Sequence, residues 1–281
     1  MTRTLLSCRL SRLTVSRGLT FEFEDVVAEC DGGVRIESTG VPTESLRRKV
    51  WRVGQAARLF ADRRQRTGGD ELLFAVAQVL GDLPDHLAFQ STLRSASTTA
   101  AFVEELWTRE LPLKPDMRRF LSQFDHVFVS CAATVEPLAE HLETPVSYLA
   151  PSVDHNRFAV SPWPPSSIDV YAMGRRNPAL HRALAAWVDS DPSRFYLYDT
   201  FAGNVPIWNH RQHRDKLADL IRRSKVFIVN SAKVDRPDET GGQPEPGYRF
   251  FEGAAAGAVM MGTGTSSPLI NELFDWEEPF I

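Results

Sequence analysis

Three cysteines in 281 residues, Cys8, Cys30 and Cys131, are too few and too scattered to build a disulfide framework, and none stands in a CxxC pair. No His/Cys cluster has metal-ligand spacing, so the sequence calls for no metal. Positive charge is not in surplus either. The net charge of -4 argues against a dedicated nucleic-acid binder, which would need lysines and arginines for phosphate contacts. Long apolar runs are also missing: no stretch reaches the roughly 18 residues of a membrane span. Arg9, Arg12 and Arg17 interrupt any secretory h-region in the opening segment. These absences point to a reducing compartment, with the cytoplasm as the default location.

What is present is the composition of a globular protein, 43% hydrophobic and 24% charged, in a chain long enough for two domains. The first forty residues read as short strands and turns, with Thr20-Phe21-Glu22-Phe23-Glu24 alternating and Asp31-Gly32-Gly33 turning the chain. Residues 44–65 carry a helical pattern with Leu46, Val50, Val53, Ala57 and Phe60 on one side, broken over 66–70. Arg47, Arg48, Arg52, Arg58, Arg63, Arg64 and Arg66 crowd this segment. Two uses remain open for them: a solvated helix face, or contact over 47–66 with a phosphate-bearing acceptor or the surface of an anionic membrane.

A buried strand is expected over 71–79, helices over 86–95 and 99–107, a strand within 124–131, a helix over 135–142 and a strand over 145–149. Pro162, Pro164 and Pro165 make residues 161–167 a linker, because each proline fixes φ and removes a donor. Beyond it the alternation restarts: strands over 168–173, 194–198 and 225–230, helices over 178–188 and 211–222. The fold class is therefore α/β, two Rossmann-like parallel-sheet domains over 1–160 and 168–281 facing a cleft. The second domain reads as incomplete, since Trp276 to Ile281 looks like the approach to a further strand.

Within that second domain, Phe251, Ala254, Ala255 and Ala258 recur at i, i+3, i+4 and i+7, and Gly257 ends the helix before an apolar run. Tyr248, Arg249 and Glu252 can share the opposite face near the helix start. Either an exposed i, i+3 ion pair or a ligand grip accounts for that spacing.

Two passages carry a resemblance. Val127-Phe128-Val129-Ser130, a helix, and then Val153-Asp154 with Phe158 resemble the end of the first domain of two-Rossmann (GT-B) glycosyltransferases of the family-four kind, although Ser152 stands where those have glycine. Tyr248-Arg249-Phe250-Phe251-Glu252-Gly253-Ala254-Ala255-Ala256-Gly257-Ala258 is similar to the R-x-x-E-x-x-A-x-G-A donor motif of the CgeB-like branch. The resemblance implies transfer of a sugar from a nucleotide-diphosphate sugar to an acceptor hydroxyl, without a metal or cofactor and with retention. It further implies that Glu252 accepts from the ribose 2′ and 3′ hydroxyls, a pairing one ionised carboxylate can make with its two oxygens. Glu245, seven positions earlier where the family has eight, corresponds to the glutamate near the transferring sugar.

Met173-Gly174-Arg175-Arg176 resembles the family's G-R donor loop, but Leu180, His181 and Arg182 stand where a lysine usually follows. Arg175 or Arg176 is expected to hold the diphosphate, with Arg182 and Arg249 in reserve and Gly262-Thr263 opening a second cradle. Asp189-Ser190-Asp191 is formally a DxD, yet at a helix end those residues serve as caps. His210 and His213 lack the glutamate of a zinc motif, and Ser130-Cys131 lacks a nucleophile elbow. Two other readings share these residues: a catalytically silent nucleotide-sugar-binding subunit, and an α/β scaffold in which Arg249 and Glu252 only pair.

Overall fold

The computed structural model describes residues 2–7, 9, 13–38, 41–42, 44–61, 71–159, 161–199, 206–264 and 266–281. Cys8, Arg12, Arg63, Arg64, Arg66, Val160, Thr265 and the expected break over 66–70 lie outside them. The chain divides into two compact units, one of residues 1–13 and 20–150, the other of residues 14–19 and 151–281.

Six parallel strands form the sheet of the first unit: β1 (Thr2–Ser7), β2 (Val34–Glu37), β3 (Glu71–Val79), β4 (Thr98–Glu105), β5 (His126–Val129) and β6 (Val146–Tyr148), in the order β2-β1-β3-β4-β5-β6. The chain leaves β1 in one direction across the sheet and returns to β3 in the other, so the order reverses there. The middle strands are apolar on both faces. Leu73, Ala75 and Ala77 of β3 and Ala101 and Val103 of β4 enter one core, while Val76 and Phe102 enter a second with Leu5. That two-sided burial corrects the helix expected over 99–107: Ala101 to Val103 pair with Ala75 to Ala77 and with Val127 to Val129, and only a strand satisfies that backbone from both sides.

Residues 18–31 depart from expectation in the opposite sense. Instead of short strands they form helix α1 (Gly18–Asp31), and the turn follows at Gly32 with φ +61°. The alternation misled because polar side chains on this helix are buried too. Glu24 accepts from Ser7 Oγ at 2.9 Å and from Arg9 Nε at 3.1 Å, and Thr20 donates to Glu104 at 2.7 Å. With acids inside as well as phenylalanines, the apolar stripe that marks a helix is erased.

Burial is the largest influence on the Glu24 carboxyl and pushes it up from 4.5 to about 7, against Arg9 and Ser7, which favour its charged form. A carboxyl raised in the folded state stabilises fully below its unfolded value and loses that contribution as pH rises through the folded one. The thermal midpoint of the wild type is therefore expected to fall between pH 4.5 and about 7 relative to that of Glu24→Gln. A constant difference between the two melting curves over that window would contradict this assignment.

Helix α2 (Ser45–Ala61) is where 44–65 was expected to be helical, but it turns its other side inward, as described below. The short helices α3 (Leu83–His86), α4 (Gln90–Ser95), α5 (Pro115–Leu121) and α6 (Val135–Ala139) follow in this unit. Among the described residues no helix is long and apolar enough to cross a membrane.

The second unit has a four-stranded parallel sheet of β7 (Ile168–Met173), β8 (Tyr196–Asp199), β9 (Ser224–Asn230) and β10 (Val259–Thr263), ordered β10-β9-β7-β8. Helices α8 (Pro178–Asp189), α9 (His210–Arg222) and α11 (Tyr248–Ala255) follow β7, β8 and β9. Between β9 and α11 lies the short α10 (Pro237–Thr240), and before β7 the short α7 (His155–Phe158), whose Phe158 is fully buried in this unit's core. Phe280 makes a parallel bridge to Met260, and Ile281 donates its amide to the Met260 carbonyl at 2.9 Å.

Glycine sets how closely α11 approaches the sheet. A Cβ on Gly253 would lie 2.7 Å from Met260 Sδ and 3.1 Å from Phe227, so the helix rests close on β9 and β10, with their side chains in the space a Cβ would need. Phe250, Glu252 and Gly253 consequently become its buried residues, whereas Ala254, Ala255 and Ala258 are only partly covered. The buried stripe is rotated away from the alanines, and Glu252 goes inside with it.

Candidate functional site

The carboxyl ends of β7, β8, β9 and β10 bring together Gly174, Asp199, Asn230 and Thr263, and the first turn of α11 supplies Tyr248 and Arg249. Open parallel sheets bind ligands at such ends. Glu252 lies one turn into α11 with its side chain fully buried.

Both of its oxygens are held by arginines. Arg214 Nη1 donates to Oε1 and Arg249 Nη1 to Oε2. The two partners differ in exposure, 2% of the side chain for Arg214 against 22% for Arg249. Arg214 is locked in place, with its guanidinium 5.1 Å above the Phe158 ring. Burial pushes the Glu252 carboxyl up, but Arg249 and Arg214, by charge and then by hydrogen bonding, outweigh it and hold the group below the usual carboxylate range. An ionised carboxylate is thus kept in a buried position between two cations.

Arg249 also reaches toward the end of β7. Gly174 turns there with φ +80°, and a Cβ on it would sit 3.7 Å from Arg249 Nη2. Beside this turn Tyr171 donates its hydroxyl to Asp199 Oδ2 at 3.2 Å, and the Gly174 amide donates to the Asp199 carbonyl at 3.0 Å. Burial, then the Asp199 charge, push the Tyr171 hydroxyl well above its ordinary value, so it stays a donor. His213, half-buried on α9, is shifted the other way: burial, then the charges of Arg214 and Arg249, lower it toward the neutral form.

The other residues expected at the site are spread among several contacts. Arg176 donates to the Asp199 carbonyl at 3.2 Å and lies 5.0 Å over the Tyr198 ring, within the cluster. Arg175 instead pairs with Asp235 at 3.0 Å and stands 3.9 Å from Glu239. Arg182 is exposed on α8. Gly262 and Thr263 belong to β10: Thr263 Oγ1 donates to Asn230 Oδ1 at 2.8 Å, and a Cβ on Gly262 would fall 1.6 Å from the Val229 carbonyl oxygen. Glu245 is 4% exposed in the loop before α11, where Gln243 Nε2 donates to its Oε1 at 2.7 Å and its carbonyl accepts from the Ala232 amide at 2.9 Å. Asp191 accepts from the Ser193 amide at 3.0 Å as a turn cap. Among the described residues no group of three or more His, Cys, Asp or Glu side chains could hold a metal ion.

Arg214, Tyr171 and Asp199 were not singled out from the sequence, and His213 was weighed only as a metal ligand, beside His210. A signal for Arg214 was there: it precedes Leu217, Ala218 and Ile221 by three, four and seven positions, a cation on the apolar stripe of α9.

No protein-family model matches the chain, and no curated protein does. Solved structures do resemble it. An alpha-glucosyltransferase in complex with UDP and DNA is 10% identical, with a TM-score of 0.51 over 93% of this chain and 79% of its own. A UDP-GlcNAc 2-epimerase from Neisseria meningitidis bound to UDP-GlcNAc is 10% identical over 97% of this chain and 84% of its own, with a TM-score of 0.46. For a glycosylation-associated protein complex (Gap123) from Streptococcus agalactiae the values are 12%, 75%, 45% and 0.41, so this chain spans less than half of that one. The likeness to the glucosyltransferase is one of fold, α/β with two Rossmann-like parallel-sheet domains.

Proposed function

We propose that this chain transfers a sugar from a nucleotide-diphosphate sugar to an acceptor hydroxyl, as a two-Rossmann glycosyltransferase of the family-four, CgeB-like kind working in the cytoplasm. The observation that carries the reading is the buried, ionised Glu252 held by Arg214 and Arg249 at the strand ends of a parallel sheet. A scaffold gains little from such an arrangement, since a buried ion pair is seldom more stable than an apolar replacement.

In this reading Arg214 keeps Oε1, while the ribose hydroxyls of the donor take over Oε2 from the more exposed Arg249. Arg249 then turns to the diphosphate beside Gly174, where Arg176, and Arg175 once released from Asp235, add positive charge. Tyr248 lines the approach to the α11 amides, Gly262 and Thr263 close the strand-end side, and Arg182 stands in reserve. Leaving-group charge is met by guanidinium groups and backbone amides, with no metal required. Glu245 lies beside the transferring sugar, which departs with retention of its anomeric configuration.

Incubation with a panel of nucleotide-diphosphate sugars, reading release of the nucleoside diphosphate, tests the reading. One donor is expected to turn over, and Glu245→Gln to slow it by about 100-fold, the scale on which a positioned carboxyl acts. Donor binding with no turnover under any acceptor would favour the silent subunit; binding of none would remove both.

A further inference from the structure

Helix α2 presents the side that sequence periodicity assigns to the core. Leu46, Val50 and Val53 are 72%, 67% and 70% exposed, and Ala57, in line with them, is exposed as well. The inward side is built differently. Arg48 and Arg52 both pair with the fully buried Asp85, Arg52 donates to the Gly81 carbonyl at 2.7 Å, and Leu59 is buried in the core. Ionic contacts from one side thus fasten the helix, and its aliphatic stripe is left facing out.

Cations flank that stripe. At 100° per residue Leu46, Val50, Val53 and Ala57 fall within one narrow sector, with Lys49 along one border and Arg47 and Arg58 along the other. No acidic residue occurs in the helix. Arg47 leans on Glu44 at 3.2 Å, but its side chain stays 77% exposed.

We infer that this face of α2 docks onto a bilayer surface carrying anionic lipid, lying in the headgroup plane with the aliphatic stripe inserted and the cations on lipid phosphates. Interfacial helices have this makeup, an apolar strip bordered by lysine and arginine. A second copy would set two cationic borders against each other. The residues of this face belong to the first unit, and the test of the inference does not depend on sugar transfer.

Flotation of the whole chain with vesicles tests the inference. Vesicles of phosphatidylcholine with about a third phosphatidylglycerol are expected to carry it at least tenfold more strongly than phosphatidylcholine alone, with release by added salt. Val50→Asp/Val53→Asp and, independently, Lys49→Glu/Arg58→Glu should each reduce flotation about tenfold or more. Both alter exposed positions, so circular dichroism and thermal midpoint should not change. Equal recovery with neutral vesicles, no recovery at all, or variants that float like the wild type would overturn it. So would a concentration-dependent dimer that Val50→Asp/Val53→Asp dissolves, since the face would then belong to a second copy.

Discussion

Arg214→Met is expected to destabilise the second unit by about 3 kcal/mol, measured as a shift in urea midpoint at unchanged slope. Breaking a buried pair leaves a charge without its partner, which typically costs about 3–5 kcal/mol. The lower end applies because Arg249 still holds the other oxygen of Glu252. Glu252→Leu should cost a comparable amount, since it strands an Arg214 that is 1% exposed. The double variant Arg214→Met/Glu252→Leu should recover much of the loss, because the two residues form one unit and their effects do not add. The pH dependence has a definite sign. Glu252 is held below its ordinary 4.5, so its stabilisation is present above that value and is lost as pH falls through the folded one. The gap between wild type and Arg214→Met should therefore close in acid.

The second large effect is on binding. Glu252→Gln keeps the shape of the side chain and removes its charge, so a nucleotide-diphosphate sugar should bind about 10–100-fold more weakly, the worth of charge-assisted hydrogen bonds to ribose. Calorimetric titration of a variant shown by circular dichroism to be folded would measure this. Unchanged affinity would mean that Glu252 serves only to anchor Arg249.

How far the sequence could be read depended on what each stretch faces. Strands β3, β7 and β9 were legible as short apolar runs, because a strand covered on both faces has little polar side, and β5, β6 and β10 were legible from their apolar residues although they are less fully covered. β4 was not: Thr98 to Glu105 mixes alanine and glutamate, good helix formers, and its state is decided by pairing with β3 and β5. α1 hides its helical period by burying Glu22, Glu24 and Asp25. α2 shows its period plainly, but the stripe faces outward and Asp85 draws the arginines in.

At the site, the Arg249–Glu252 pair follows from local spacing, as three residues on a helix bring side chains together. Arg214 sits on the apolar stripe of another helix, a signal of its burial, but its pairing with Glu252 is set by the fold. Burial of Glu252 was illegible for a related reason: it follows from Gly253 letting α11 settle onto Met260 and Phe227.

The most direct measurement compares a nucleoside diphosphate with its 2′,3′-dideoxy analogue, titrated into the wild type and into Glu252→Gln. The account predicts that the wild type prefers the ribose form by about tenfold or more and that the preference disappears in Glu252→Gln, a coupling between one carboxylate and two hydroxyls. A wild type that binds neither nucleotide, or that binds both equally, would contradict the claim that α11 holds a nucleotide sugar by its ribose.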